Sequence, residues 1–325
     1  MAEIPDVTIV GGGVIGCAVA WWLTARGARV EVLEAEEPGA GASGASAGVL
    51  GPLSDSIATG FMTAFALDAL REIDARAEAI AEASGIDIGY RRSGILRVAG
   101  TDAGLAALDD FVARRSGLGL DLQCLDPTEI HAIEPRLGPA VRAGVYCPEE
   151  THVLPGALTR ALAEAARRAG VRFRTGARVT AVERTGDIVT TLHTTTERIP
   201  VAALVVAAGT GAAALGEALG TPLPVRPVRG GMAAFRPDPP FAEAPIFAED
   251  VLLVPKPDGE LWVGATHDDG NADPRPTAGD LAALLPEAIA VAPDLARAPF
   301  LRAWAGLRPA TPDGLPALGP LPGLR

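Results

Sequence analysis

Glycines at positions 11, 13 and 16 lie directly between a short β-branched run, Asp6 to Val10, and an apolar stretch, Val14 to Arg26, and they constrain this chain more than any other feature. The pattern G-x-G-x-x-G carries meaning only in such a strand-to-helix context. Val14 to Arg26 reads as a buried helix and Arg29 to Leu33 as the next strand, with Ala20, Leu23, Gly27, Val30 and Val32 at the core spacings of a βαβ unit. Gly11 permits the tight turn, Gly13 lets the backbone approach a pyrophosphate, and Gly16 lets helix and strand pack closely. Val14 and Ile15 open the helix, whose unpaired N–H groups and positive dipole end face the phosphates. Glu34, followed by Ala35, closes the unit; its carboxylate can accept hydrogen bonds from ribose hydroxyls and would repel a 2′-phosphate, which disfavours NADP. The glycine pattern by itself leaves FAD and NAD open.

Beyond this unit, residues 39–60 are rich in Gly, Ala and Ser, as in a loop whose backbone must come close to something. Phe61 to Ala83 reads as an amphipathic helix stopped at Ser84-Gly85, Gly94 to Val98 as a strand and Ala103 to Arg115 as a helix. Pro155 fits the first turn of a helix running to Arg168, Gly170 its C-terminal cap, and Val171 to Glu183 one or two strands. Val201 to Ala208 is a continuous apolar strand ending at Gly209-Thr210-Gly211. Val251–Pro255 and Glu260–Thr266 form a hairpin turned by Pro257-Asp258-Gly259, so an antiparallel sheet is expected there.

With 325 residues the chain suits one large or two intertwined domains. A net charge of −12 argues against nucleic acid and an anionic membrane surface as partners, and no uninterrupted apolar run reaches spanning length. Cys17, Cys124 and Cys147 form no CxxC or paired framework, which points to free thiols in a reducing, cytoplasmic compartment; a signal peptide is not expected. His131, His152, His193 and His267 lack metal-ligand spacing, so no metal is expected. Homo-oligomerisation is left open.

The stretch Gly41-Ala42-Ser43-Gly44-Ala45-Ser46-Ala47-Gly48-Val49-Leu50 resembles the second flavin-contacting loop of the D-amino-acid-oxidase-like FAD-dependent oxidoreductases. Two further blocks agree with it: the strand ending Ala207-Ala208-Gly209-Thr210, and the run from Trp304 through Arg308 to Pro316. Within that family the chain looks most like the glycine oxidases of thiamine biosynthesis, with sarcosine oxidase and D-amino-acid dehydrogenase as neighbours. The resemblance selects FAD as cofactor and implies contacts from Ala42, Ser43, Ala47, Gly48, Leu50, Ala208 and Gly209, with the Val179 backbone on the adenine. It also implies that Arg308 holds the substrate carboxylate, for which a guanidinium offers two parallel hydrogen bonds.

Two departures stand out. Leu252 occupies the place where this subfamily usually carries a tyrosine, so the substrate is expected to be bulkier or more apolar than glycine, with His267 supplying polarity to the pocket. Relatives also continue past Gly319-Pro-Leu-Pro-Gly with a strand and a helix, so a C-terminally shortened FAD-binding domain is expected. The expected fold is α/β: a Rossmann-like FAD-binding domain at 1–85, 146–222 and 304–325, and a second α+β substrate domain on an antiparallel sheet at 86–145 and 223–303. The implied activity is oxidative deamination of a small neutral amino acid (glycine, sarcosine or a D-amino acid) by hydride transfer to flavin N5, with molecular oxygen as acceptor and hydrogen peroxide as product. The alternatives are a dehydrogenase serving an electron carrier and a catalytically impaired FAD-binding fragment or subunit.

Overall fold

The computed structural model describes residues 4–54 and 60–325. Strand Val7–Val10, helix Val14–Thr24 and strand Val30–Leu33 form the expected unit, the strands pairing in parallel from Val7–Val30 to Val10–Leu33. Leu204–Val206 pairs in parallel on the far side of Val7–Val10, and Arg172–Arg174 pairs beyond Val30–Leu33. Val30–Leu33 is buried at every residue, as expected for a parallel strand covered on both faces. The apolar strand expected at 201–208 shortens to Leu204–Val206.

Helices Val14–Thr24, Phe61–Ser84 and Pro155–Arg168 share one core, in which Cys17 and Ala77 meet Ile80, Leu158 and Leu162. Local chemistry sets their ends. Gly85, at φ 72°, closes the 24-residue helix in the left-handed conformation that favours glycine, and Pro155 starts the third helix where its missing N–H costs nothing. On the other face, the three-stranded antiparallel sheet of Val179–Thr185, Ile188–Thr194 and Arg198–Pro200 packs Val189, Leu192 and Ile199 against Leu215 and Leu219 of helix Ala212–Leu219.

The second sheet has nine strands. Its expected hairpin forms, Val251–Pro255 against Leu261–Gly264, and Lys256 N–H donates to Glu260 O across the turn at 2.8 Å. The sheet is mixed rather than wholly antiparallel, because Ile246–Ala248 runs parallel to Ile95–Ala99. Leu253, Leu261, Val263 and Ala233 pack beneath Leu284 and Ala288 of helix Ala278–Val291.

The last strand departs from the expected division. Residues 304–310, assigned from sequence to the FAD-binding half, belong to one eleven-residue strand, Phe300–Ala310, paired along Arg226–Phe235 from Ala310 opposite Arg226 to Ala303 opposite Ala233. Breaking that ladder at 304 would strand hydrogen bonds in mid-sheet. Ala143–Cys147 likewise carries the large sheet past the expected boundary at 146. The glycine-rich stretch is not all loop: Ala42–Ala45 makes one helical turn and Val49–Leu50 pairs with Thr151–His152, while its residues 55–59 lie outside the described residues.

Candidate active site

The glycines of the turn are required for different reasons. Gly11 has φ 110°, and a Cβ on it would collide with Ala207 O; a Cβ on Gly16 would collide with Gly11 O. Gly13 is different. A Cβ there would meet only Ser43 Oγ, at 3.1 Å, so packing within the protein bears on this glycine far less than on Gly11 or Gly16. Gly13 offers no side-chain cap, and the first turn of its helix carries no acidic residue, which leaves a positive helix end suited to an anion. Ser43 Oγ accepts the Val14 N–H at 2.9 Å, placing one hydroxyl at this end, and Ile15 stands 63% exposed there.

Glu34 is held by two backbone donors, Gly12 N–H at 2.6 Å and Glu36 N–H at 2.8 Å. A carboxylate has about four acceptor sites, so capacity for ribose hydroxyls remains. Beside it lies a cavity of about 260 Å³ walled by Gly11, Glu34, Ala35, Val179, Ala208 and Leu215 among others. One carboxylate at the edge of an apolar slot suits a nucleoside, and together with the open glycine turn these residues fit the ADP half of FAD. Gly209 has φ 55°, and a Cβ there would meet nothing within 4 Å.

A second cavity, of about 490 Å³, lies between the glycine-rich stretch and the large sheet. Ala42, Ala47, Gly48 and Val49 form one wall; Met232, Leu252, Gly306 and Arg308 contribute to the opposite side, with Glu249 and Asp250 also lining it. Gly48, at φ 80°, is pinned because a Cβ would collide with Val153 O. Leu50 is not among the residues lining this cavity; it packs with the core of Cys17 and Ile80, from a strand position paired with Thr151.

Arg308 lines the cavity, and its Nη1 donates to Thr266 O at 3.2 Å. Leu252 lines it too, from the hairpin strand opposite Gly264. His267 does not. It is exposed and outside the cavity wall, because the neighbouring Thr266 hydroxyl turns into the sheet to accept the Gly231 N–H at 2.7 Å. The expectation that His267 lines the pocket is therefore corrected.

Several residues had no role assigned from the sequence. Gly230 makes room for Arg308, whose guanidinium a Cβ would strike. Gly306 lets the last strand lie on Ala45, and Trp304 Nε1 donates to Ala45 O at 2.9 Å. Lys256, 5% exposed, reaches from the hairpin to Ala47 O at 2.7 Å and Val153 O at 3.1 Å, under the Trp262 ring. Burial pulls its ammonium down to about 7. Glu150, fully buried, accepts Leu53 N–H at 2.6 Å, Ser54 N–H at 3.0 Å and the Ser54 hydroxyl, and burial pushes its carboxyl up. A glycine pair such as Gly230-Gly231 was the visible signal for the first of these; the others depend on neighbours remote in sequence.

A family model described as FAD dependent oxidoreductase matches residues 6–325. Glycine oxidase of Geobacillus kaustophilus is 36% identical over 321 residues, covering 98% of this chain and 84% of that protein. Hydrogen cyanide synthase subunit HcnC of Pseudomonas aeruginosa is 30% identical over 353 residues, covering 97% of this chain and 84% of that protein. The crystal structure of the Geobacillus kaustophilus glycine oxidase matches with a TM-score of 0.95 at 35% identity, over 100% of this chain and 88% of that one.

Proposed function

The chain belongs to the FAD-dependent oxidoreductase family, and from that premise we propose that it oxidises the Cα–N bond of a small neutral amino acid such as glycine, sarcosine or a D-amino acid. The observation that carries this reading is Arg308 on the wall of the 490 Å³ cavity that the flavin-type stretch, Ala42 to Val49, also lines. Gly11, Gly13, Glu34 and Val179 would hold the ADP half of the cofactor, and Ala42, Ala47 and Gly48, which line the larger cavity, would border the space for its ring. When bound, the flavin supplies a two-electron acceptor for hydride leaving the α-carbon.

Arg308 grips the carboxylate by parallel charge-assisted hydrogen bonds and so fixes the position of the α-carbon. Leu252 and Met232 give the cavity an apolar side that excludes water and accommodates a small aliphatic substituent. As the α C–H bond breaks, the nitrogen lone pair forms the C=N bond; water then converts the imine to a 2-oxo acid and ammonia, or methylamine from sarcosine. Molecular oxygen is the proposed terminal acceptor, giving hydrogen peroxide. Replacing Arg308 with Ala removes contacts worth on the order of 1.5–3 kcal/mol each, and kcat/KM for amino acids is expected to fall at least about tenfold, since roughly 1.4 kcal/mol is one decade. Unchanged steady-state kinetics would remove Arg308 from the site.

A further inference from the structure

Gly230 and Gly231 sit side by side on strand Arg226–Phe235, and successive strand residues face opposite sides of a sheet. Each makes room for a different charged group. On the cavity side Gly230 admits the Arg308 guanidinium; on the other, a Cβ on Gly231 would fall 2.5 Å from Asp280 Cγ, at the start of helix Ala278–Val291.

Asp280 is paired in bidentate fashion with Arg229, Nη1 to Oδ1 at 2.8 Å and Nη2 to Oδ2 at 2.5 Å, and both residues are buried. Thr266 joins the two sides. Its hydroxyl donates to Asp280 Oδ1 at 3.1 Å and accepts the Gly231 N–H at 2.7 Å, its own N–H donates to Gly231 O at 3.2 Å, and its carbonyl accepts Arg308 Nη1 at 3.2 Å. Asp280 is thus linked to the guanidinium through one intervening residue. A buried pair of this kind is weak evidence for stability, but it fixes geometry.

We propose that Thr266, anchored from behind by Asp280, is the positioning residue of the carboxylate clamp, setting the direction in which Arg308 presents its guanidinium to substrate. This rests on the reading of Arg308 as the carboxylate-binding group. Bidentate recognition is directional, so a guanidinium free to swing loses one of its two parallel bonds although its charge is intact. The two residues therefore govern how tightly a carboxylate is held and leave the cofactor's attachment alone.

The test uses the FAD-loaded enzyme and glycolate, the analogue of glycine with a hydroxyl in place of the amino group, titrated by calorimetry. Thr266→Val removes the hydroxyl and keeps the backbone carbonyl, and Asp280→Asn keeps the shape of the pair. Each is expected to raise the glycolate Kd and the KM for the amino acid about tenfold, equivalent to roughly one decade per 1.4 kcal/mol, with kcat changed less than about twofold. Thr266→Ser is expected to restore both constants, and flavin content is expected to match the wild type throughout. Arg308→Ala separates the two claims. If it leaves glycolate binding intact, the assignment of Arg308 fails; if it abolishes binding while either soluble variant binds glycolate like the wild type, the positioning role of Thr266 and Asp280 is overturned.

Discussion

Gly13 and Gly16 are three residues apart in one motif, yet substitution should damage different things. A side chain at Gly16 collides with the backbone oxygen of Gly11, so Gly16→Ala must push the helix off its strand. At Gly13 the first side-chain atom meets one group, the Ser43 hydroxyl that accepts the Val14 N–H, and a shift of a few tenths of an ångström relieves it, while the rest of a valine would project into the space proposed for pyrophosphate. Gly13→Val should therefore purify as a folded protein with little flavin, whereas Gly16→Ala should lower the melting temperature even of flavin-free protein. Absorbance spectra and thermal melts of the two variants check this; full flavin content in Gly13→Val would place the cofactor elsewhere. The motif was legible because its parts lie within thirty residues and each has a local task. His267 was misplaced because sequence gives no strand orientation beyond a hairpin: one residue earlier, Thr266 turns inward and sends its neighbour to solvent.

At the scale of elements, two side chains tie the large sheet to the flavin-type stretch: Trp304 to Ala45 O and Lys256 to Ala47 O. Lys256 makes the tie depend on pH. Its folded-state value of about 7 lies below the ordinary 10.5, so between those values the unfolded chain binds more protons than the folded one, and stability rises with pH across that window. Below pH about 7 the cost of the buried charge is fully present. Thermal melts from about pH 6.5 to about 9.5, a range that starts below the folded-state value and covers most of that window, should show a gain with pH in the wild type that Lys256→Met lacks; parallel pH profiles would deny the buried ammonium this role. Glu150 acts on the same stretch from the other end, satisfying the N–H groups of Leu53 and Ser54. Glu150→Ala leaves those buried donors unpaired at about 1–3 kcal/mol each, and a marked fall in melting temperature is expected. An unchanged melt would show that those donors find other partners. The helices and the 251–264 hairpin were readable because periodicity and turn residues are local signals. The path of Phe300–Ala310 was not, since its register is set by a partner strand some seventy residues earlier.

Over the whole molecule, one parallel sheet carries a glycine turn and the Glu34 carboxylate beside one cavity, and a nine-stranded mixed sheet carries Arg308 to a second cavity that Ala42 to Val49 also line. The family could be read from the sequence because its glycine-rich blocks are contiguous. The walls of the 490 Å³ cavity could not, because they are assembled from segments spread from Ala42 to Pro309. Among the described residues no helix is long and apolar enough to cross a membrane. The most direct test of the central claim is anaerobic mixing of the FAD-loaded enzyme with glycine, sarcosine and D-alanine in turn, following the visible flavin absorbance and then admitting air. The expected result is bleaching by at least one of them, with stoichiometric 2-oxo acid, and one hydrogen peroxide per flavin reoxidised when oxygen enters. A flavin that dithionite reduces but that stays oxidised with all three and with larger neutral amino acids would contradict the account.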